Sequence, residues 1–227
     1  MQQIAQNQPA TPQPRTYPDS QVGEISIEAP SSTYRTFEQR DRFFGIEYPS
    51  NWRVHASADG PGVTIAPDGG VVDTGRTEKD LIYGVVINHY VPFLNDEDDT
   101  DGRFSFLGAP GDLSDQNVSR TSLAEATNDL VGQILRTNPT LKLVPDSQRN
   151  DKIDGASALS LVLSGRSAAT GAEERVTVFT RELPDDHVIY ALFIAPGQDY
   201  SQLKATFNRM IGSLRVSDEA THRSSAP

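Results

Sequence analysis

The chain has 227 residues, 36% of them hydrophobic and 22% charged, with a formal net charge of -11 and no cysteine. That length supports one domain with a real core. The acidic balance, with no Lys/Arg-rich patch to offset it, excludes nucleic acid and anionic membrane surfaces as natural partners; missing thiols exclude disulfides and thiolate chemistry.

No apolar run reaches the roughly 18 residues of a spanning helix, so no direct membrane insertion is expected. The opening MQQIAQNQPATPQPR has neither a basic n-region nor an apolar h-region, so no signal peptide is expected in this chain. Residues 1–35 read as a disordered Pro/Gln-rich tail or linker, with Pro9, Pro12, Pro14, Pro18 and Pro30 among glutamines. Such a segment buries too little apolar area to offset the entropy of ordering it. Residues 36–216 read as the folded domain and 217–227 as a disordered C-terminal tail.

Within the domain, Phe43 to Tyr48 reads as a strand and Pro49-Ser50-Asn51 as a turn. Trp52 to His55 resumes extended structure, with Trp52 anchoring the core edge. Val63 to Ala66 is a short strand closed by the turn Pro67-Asp68-Gly69-Gly70. Leu81 to Val91 reads as one long strand. Tyr83, Val85, Ile87, His89 and Val91 share one face; Gly84, Val86, Asn88 and Tyr90 share the other.

Residues 94–118 form a polar loop. A helix over 122–138 follows, with Ser122 as N-cap, Glu125 closing a capping box, and Asn138-Pro139 as the stop. Leu141 to Val144 is a short strand. Asp154-Gly155 suits a hairpin turn. Ala158 to Ser164 alternates, and residues 169–173 contain a turn. Val176 to Arg181 and Val188 to Ala195 form a hairpin with Pro184-Asp185-Asp186 at its tip. The last helix, 199–213, has Asp199 as cap with Gln202 as partner. Its apolar stripe is Tyr200, Leu203, Phe207, Met210, Ile211 and Leu214. Hairpins in series with two helices predict an α+β sandwich: one twisted antiparallel sheet carrying the helices on one or both faces.

Candidate chemistry is sparse. Asp96, Glu97, Asp98, Asp99 and Asp101 crowd before Gly102. Glu97, Asp99 and Asp101 match positions 1, 3 and 5 of a calcium loop and make a calcium-like metal candidate. Position 12 is Gly108 where a calcium loop carries Glu, so a solvated acidic loop is the plainer expectation. Asp96 and Asp98 with Phe104 and Phe106 form a candidate partner-binding set. His89 and His187 fall on predicted strands, and a general base needs a partner that the sequence does not show. His55, beside Ser57 and Asp59, lacks the strained turn of a hydrolase nucleophile. Glu173 and Glu174 point to opposite faces of a strand and read as a solvated strand end. Asn117-Val118-Ser119 matches a glycosylation acceptor. No catalytic or cofactor-binding residue is assigned, and no cofactor is implied.

The segments FGIEYPSNWRV (Phe44 to Val54), VTIAPDGGVV (Val63 to Val72) and YGVVINHY (Tyr83 to Tyr90) resemble a bacterial domain family. So do LRTNPTLKL (Leu135 to Leu143), IDGASALSLVLSG (Ile153 to Gly165) and FIAPGQDYSQLKATFNRMIGSLRV (Phe193 to Val216). They resemble the C-terminal accessory domain of certain bacterial zinc metallopeptidases and, more distantly, PsbP-like proteins. The resemblance implies a PsbP-like α/β/α sandwich with a central, mainly antiparallel sheet. It implies a non-catalytic accessory or protein-binding module of the bacterial cell envelope or periplasm. The catalytic His-Glu-x-x-His is absent from this chain, so no peptidase activity is expected. Loops 92–118 and 166–173 are the expected surfaces for a protein partner. Two alternatives are a small-molecule or cation-binding enzyme of undescribed type and a purely structural domain of a larger protein. A pocket lined by His89 or His187 with a nearby carboxylate would favour the enzyme.

Overall fold

The computed structural model describes residues 27–40, 42–56, 62–73, 79–92 and 122–218. In chain order the strands are β1 (Tyr34–Glu38), β2 (Phe44–Pro49), β3 (Arg53–Ala56), β4 (Val63–Ala66), β5 (Val71–Val72), β6 (Asp80–Leu81) and β7 (Gly84–Tyr90). Helix α1 (Leu123–Thr137) is followed by β8 (Lys142–Leu143), β9 (Arg149–Ile153), β10 (Ala156–Arg166), β11 (Glu173–Glu182) and β12 (Val188–Pro196). Helix α2 (Tyr200–Ser213) and β13 (Arg215–Val216) follow. The main sheet runs β3-β4-β7-β12-β11-β10-β8, with β9 also pairing β10. Its pairings are antiparallel.

Strand β12 shows why both faces must be covered. Ile189, Ala191, Phe193 and Ala195 enter one core, together with Leu203, Phe207 and Met210 of α2. Leu192 and Ile194 enter the other, with Leu130, Val131 and Ile134 of α1. The helices therefore lie against opposite faces, as in an α/β/α sandwich. Burying the alternating side chains of one strand in two cores removes apolar surface from water on both sides, worth about 25 cal/mol per Å².

Helix α1 starts as its sequence dictates. The Ser122 hydroxyl accepts from the Glu125 N–H at 3.3 Å, and the Glu125 carboxylate accepts from the Ser122 N–H at 2.9 Å. On its inner face Thr127 meets Thr180 of β11 at 2.7 Å, and Tyr90 donates to Asp129 at 2.5 Å. These bonds fix α1 over β7 and β11.

Several expectations change. Among the described residues the single expected sheet is two sheets and a ribbon: β2 pairs with β1 and β13 in a separate three-stranded sheet, and β5 pairs with β6. The strand expected over 81–91 is broken, because the N–H groups of Ile82 and Tyr83 both turn to the Gly70 carbonyl. Asp199 occupies the N-cap but makes no side-chain cap. Its own backbone is helical (φ -99°, ψ -16°), so the Gln202 N–H bonds the Asp199 carbonyl instead. Ile27 is buried and β1 opens at Tyr34, ahead of residue 36. At the other end Ser217 donates to the Phe43 carbonyl, and Asp218 pairs with Arg181, so the chain is still held past residue 216. Among the described residues no helix is long and apolar enough to cross a membrane.

Candidate functional site

One corner of the main sheet gathers the chemistry. Strand β7 ends beside β12, with His89 opposite Ile189 and Tyr90 opposite Val188. This register carries His89 toward the turn that joins β11 to β12, where Asp185 and His187 sit. Backbone bonds close the turn. Leu183 N–H donates to the His187 carbonyl at 2.8 Å, and Asp186 N–H donates to the Leu183 carbonyl at 3.1 Å. Asp186 takes a positive φ of 63°, a conformation that Asp tolerates better than most residues.

The side chains converge closely. His89 Nε2 lies 2.7 Å from His187 Nδ1. Asp185 Oδ2 lies 3.1 Å from the same His187 Nδ1, and Asp185 Oδ1 accepts the His187 backbone N–H at 3.3 Å. The imidazole rings meet edge to face, and Phe43 packs on His89 in the same way. His187 and Asp185 keep 20% and 17% of their side-chain surface exposed, enough for an approaching group to reach them.

The electrostatics follow from partial burial. Desolvation, then the neighbouring His187, pushes the His89 imidazole down to about 4, so it is neutral at physiological pH. Burial works to raise the Asp185 carboxyl, but its bonds to His187 outweigh this and hold it below the ordinary range. One strand further along the same row, Arg181 faces Ile189 and is almost wholly buried. Its Nη2 binds both carboxylate oxygens of Asp218, at 2.9 and 3.2 Å, while Nε and Nη1 find no hydrogen-bond partner among the described residues.

Among the described residues, His89, Asp185 and His187 are a set able to hold a metal ion, with ligand atoms within 4.8 Å of one another. The sequence shows no partner for either histidine; the fold gives each the other. Glu97, Asp99, Asp101, Asp96, Asp98, Phe104 and Phe106 lie outside the described residues, as do Ser57, Asp59 and Asn117. The 166–173 loop exposes Arg166, Ala168 and Glu173 and turns residues between them inward. Ser167, Ala169 and Thr170 are buried, and Ser167 closes the loop through backbone bonds with Ala172 and Gly171.

Glu174 also departs from the solvated strand end expected of it. Desolvation raises its carboxyl from 4.5 to about 7, against a hydrogen bond from Ser167 that lowers it. The folded value lies above the unfolded one, so the folded state holds the proton longer. Stability is then unaffected by this group below pH 4.5 and falls as pH rises toward 7. Glu174→Gln keeps the neutral form at every pH. Chemical denaturation should show it more stable than the parent by on the order of 2 kcal/mol at pH 8 and equal at pH 4.

No protein-family model and no curated protein matches the chain. Solved structures show remote likeness. The solution structure of cyanobacterial PsbP from Synechocystis sp. PCC 6803 is 9% identical with a TM-score of 0.49, covering 82% of this chain and 94% of that one. LpqN, involved in cell envelope biogenesis of Mycobacterium tuberculosis, is 15% identical with a TM-score of 0.45, covering 82% and 91%. The Saccharomyces cerevisiae Ran-binding protein Mog1p is 10% identical with a TM-score of 0.46, covering 84% and 98%. These likenesses are of equal weakness and reach unrelated proteins. They are too remote to assign a family or transfer a function.

Proposed function

We propose that this domain is a non-catalytic binding or accessory module whose recognition site is the corner formed by His89, Asp185 and His187. The observation that carries this reading is their convergence. Two segments 98 residues apart bring an imidazole pair to 2.7 Å, with a carboxylate alongside, at a part-exposed corner. A strand end and a hydrogen-bonded turn hold them, so little ordering cost remains for binding. A cation-binding role is favoured by the Asp185 carboxylate beside the imidazoles. The finer assignment, a PsbP-like accessory domain of the bacterial cell envelope or periplasm associated with zinc metallopeptidases, rests on the sequence segments alone.

The test is cross-linked capture from the cells that make the protein. The full chain is compared with a chain carrying Asp185→Asn and His187→Gln, and any captured component is purified and its affinity measured. A partner bound at least ~10-fold more tightly by the parent supports the corner as its contact. Equal affinity for both chains removes the corner from recognition.

A further inference from the structure

We infer that His89 Nε2, His187 Nδ1 and an oxygen of Asp185 form a binding site for one divalent transition-metal ion of the zinc class. Three lone-pair-bearing atoms face one another here, and proton bookkeeping shows why hydrogen bonds serve them poorly. A neutral imidazole carries one N–H. If His187 Nδ1 is protonated, its single hydrogen must be divided between Asp185, at 3.1 Å, and His89, at 2.7 Å. If His187 Nδ1 is bare, it can accept from His89 Nε2–H, but its lone pair then faces the carboxylate. A cation among the three satisfies all of them at once and needs no proton.

The donor set also selects the ion. Two imidazoles and a carboxylate suit zinc and its transition-metal neighbours, whereas calcium and magnesium prefer oxygen donors. Zn–N bonds of about 2.0–2.1 Å in tetrahedral geometry put two nitrogens about 3.3 Å apart. The ring nitrogens must therefore move apart from 2.7 Å by about 0.6 Å, a shift that keeps them inside the 4.8 Å span of the three ligand atoms. In the same cross-strand row, Arg181 is paired with Asp218, which offsets its repulsion of an incoming ion. Three protein ligands leave a fourth position open for water or a donor group from a partner. Only that last use of the open position rests on the binding-module reading; the ion site stands without it.

Full-length protein stripped with chelator is titrated with Zn²⁺ by calorimetry and with Co²⁺ by visible absorption. The parent should bind one ion per chain at this site and give the intense visible bands of four-coordinate Co²⁺. His187→Gln and Asp185→Asn, made separately and checked for parental circular dichroism, should each bind at least ~10-fold more weakly. A chain with Glu97→Gln, Asp99→Asn and Asp101→Asn should bind like the parent. Absent saturable binding, binding unchanged in whichever corner variant folds, or binding lost with the acidic residues would each overturn the site. Failure here, with the captured partner still dependent on the corner, would leave the binding-module reading intact.

Discussion

Phe193→Ala should lower the unfolding free energy by about 3–5 kcal/mol, a large share of the 5–15 kcal/mol of an ordinary domain. Phe193 has no exposed surface and sits on β12 between Thr177 of β11 and Val85 of β7. Its ring meets Phe207 of α2 at 4.9 Å and Phe179 of β11 at 5.7 Å. Truncation removes a central aromatic contact between α2 and the sheet and leaves a void that neighbours on three elements cannot all close. Phe193→Leu, which keeps most of the volume, should cost about 1.5 kcal/mol or less. Urea denaturation reads both. A Phe193→Ala loss under ~1.5 kcal/mol would mean that α2 is not packed on the sheet as described.

Gly165→Ala should be nearly as damaging, by about 3 kcal/mol, although alanine normally suits a strand better than glycine. Gly165 lies in β10 opposite Glu174. A β-carbon there would stand 2.7 Å from the carbonyl carbon of Thr140 and 2.9 Å from the Leu141 Cα, and closer still to the Thr140 oxygen. The obstacle is backbone, so no rotamer change relieves it, and the segment leaving α1 must shift. Gly155 makes the opposite case. Its φ is 79°, but nothing lies within 4 Å of an added β-carbon. Gly155→Ala should therefore cost only the conformational strain, about 1–2 kcal/mol. Equal losses at the two sites would contradict the close approach of the 140–141 segment to β10.

What the sequence made legible was local. The Ser122–Glu125 capping box, the Asp154-Gly155 turn with both residues at positive φ, and the β11–β12 hairpin each depend on residues within a few positions. The small sheet was not legible. Strand β13 is two residues long and pairs with Phe44 and Gly45, so no periodicity announces it. The broken strand at Ile82 depends on the Gly70 carbonyl, a partner that alternation of side chains does not reveal. The corner was half legible. Alternation puts His89 on the same face as Val85 and Ile87, and Pro184-Asp185-Asp186 marks the tip. Their meeting depends on β7 lying beside β12 with Tyr90 opposite Val188, a non-local register. Had that pairing been known, His187, one residue before Val188, would have fallen beside His89. Glu174 was not legible either: its desolvation and its bond from Ser167 depend on how β11 packs, not on its neighbour Glu173.

The most direct test of the corner is heteronuclear NMR of the histidine ring nitrogens in full-length protein, before and after one equivalent of Zn²⁺. The metal-bound signature should appear at Nε2 of His89 and Nδ1 of His187, while His55 and His222 keep their metal-free signals. Zinc signatures on His55 or His222, or on the other ring nitrogens of His89 and His187, would contradict it.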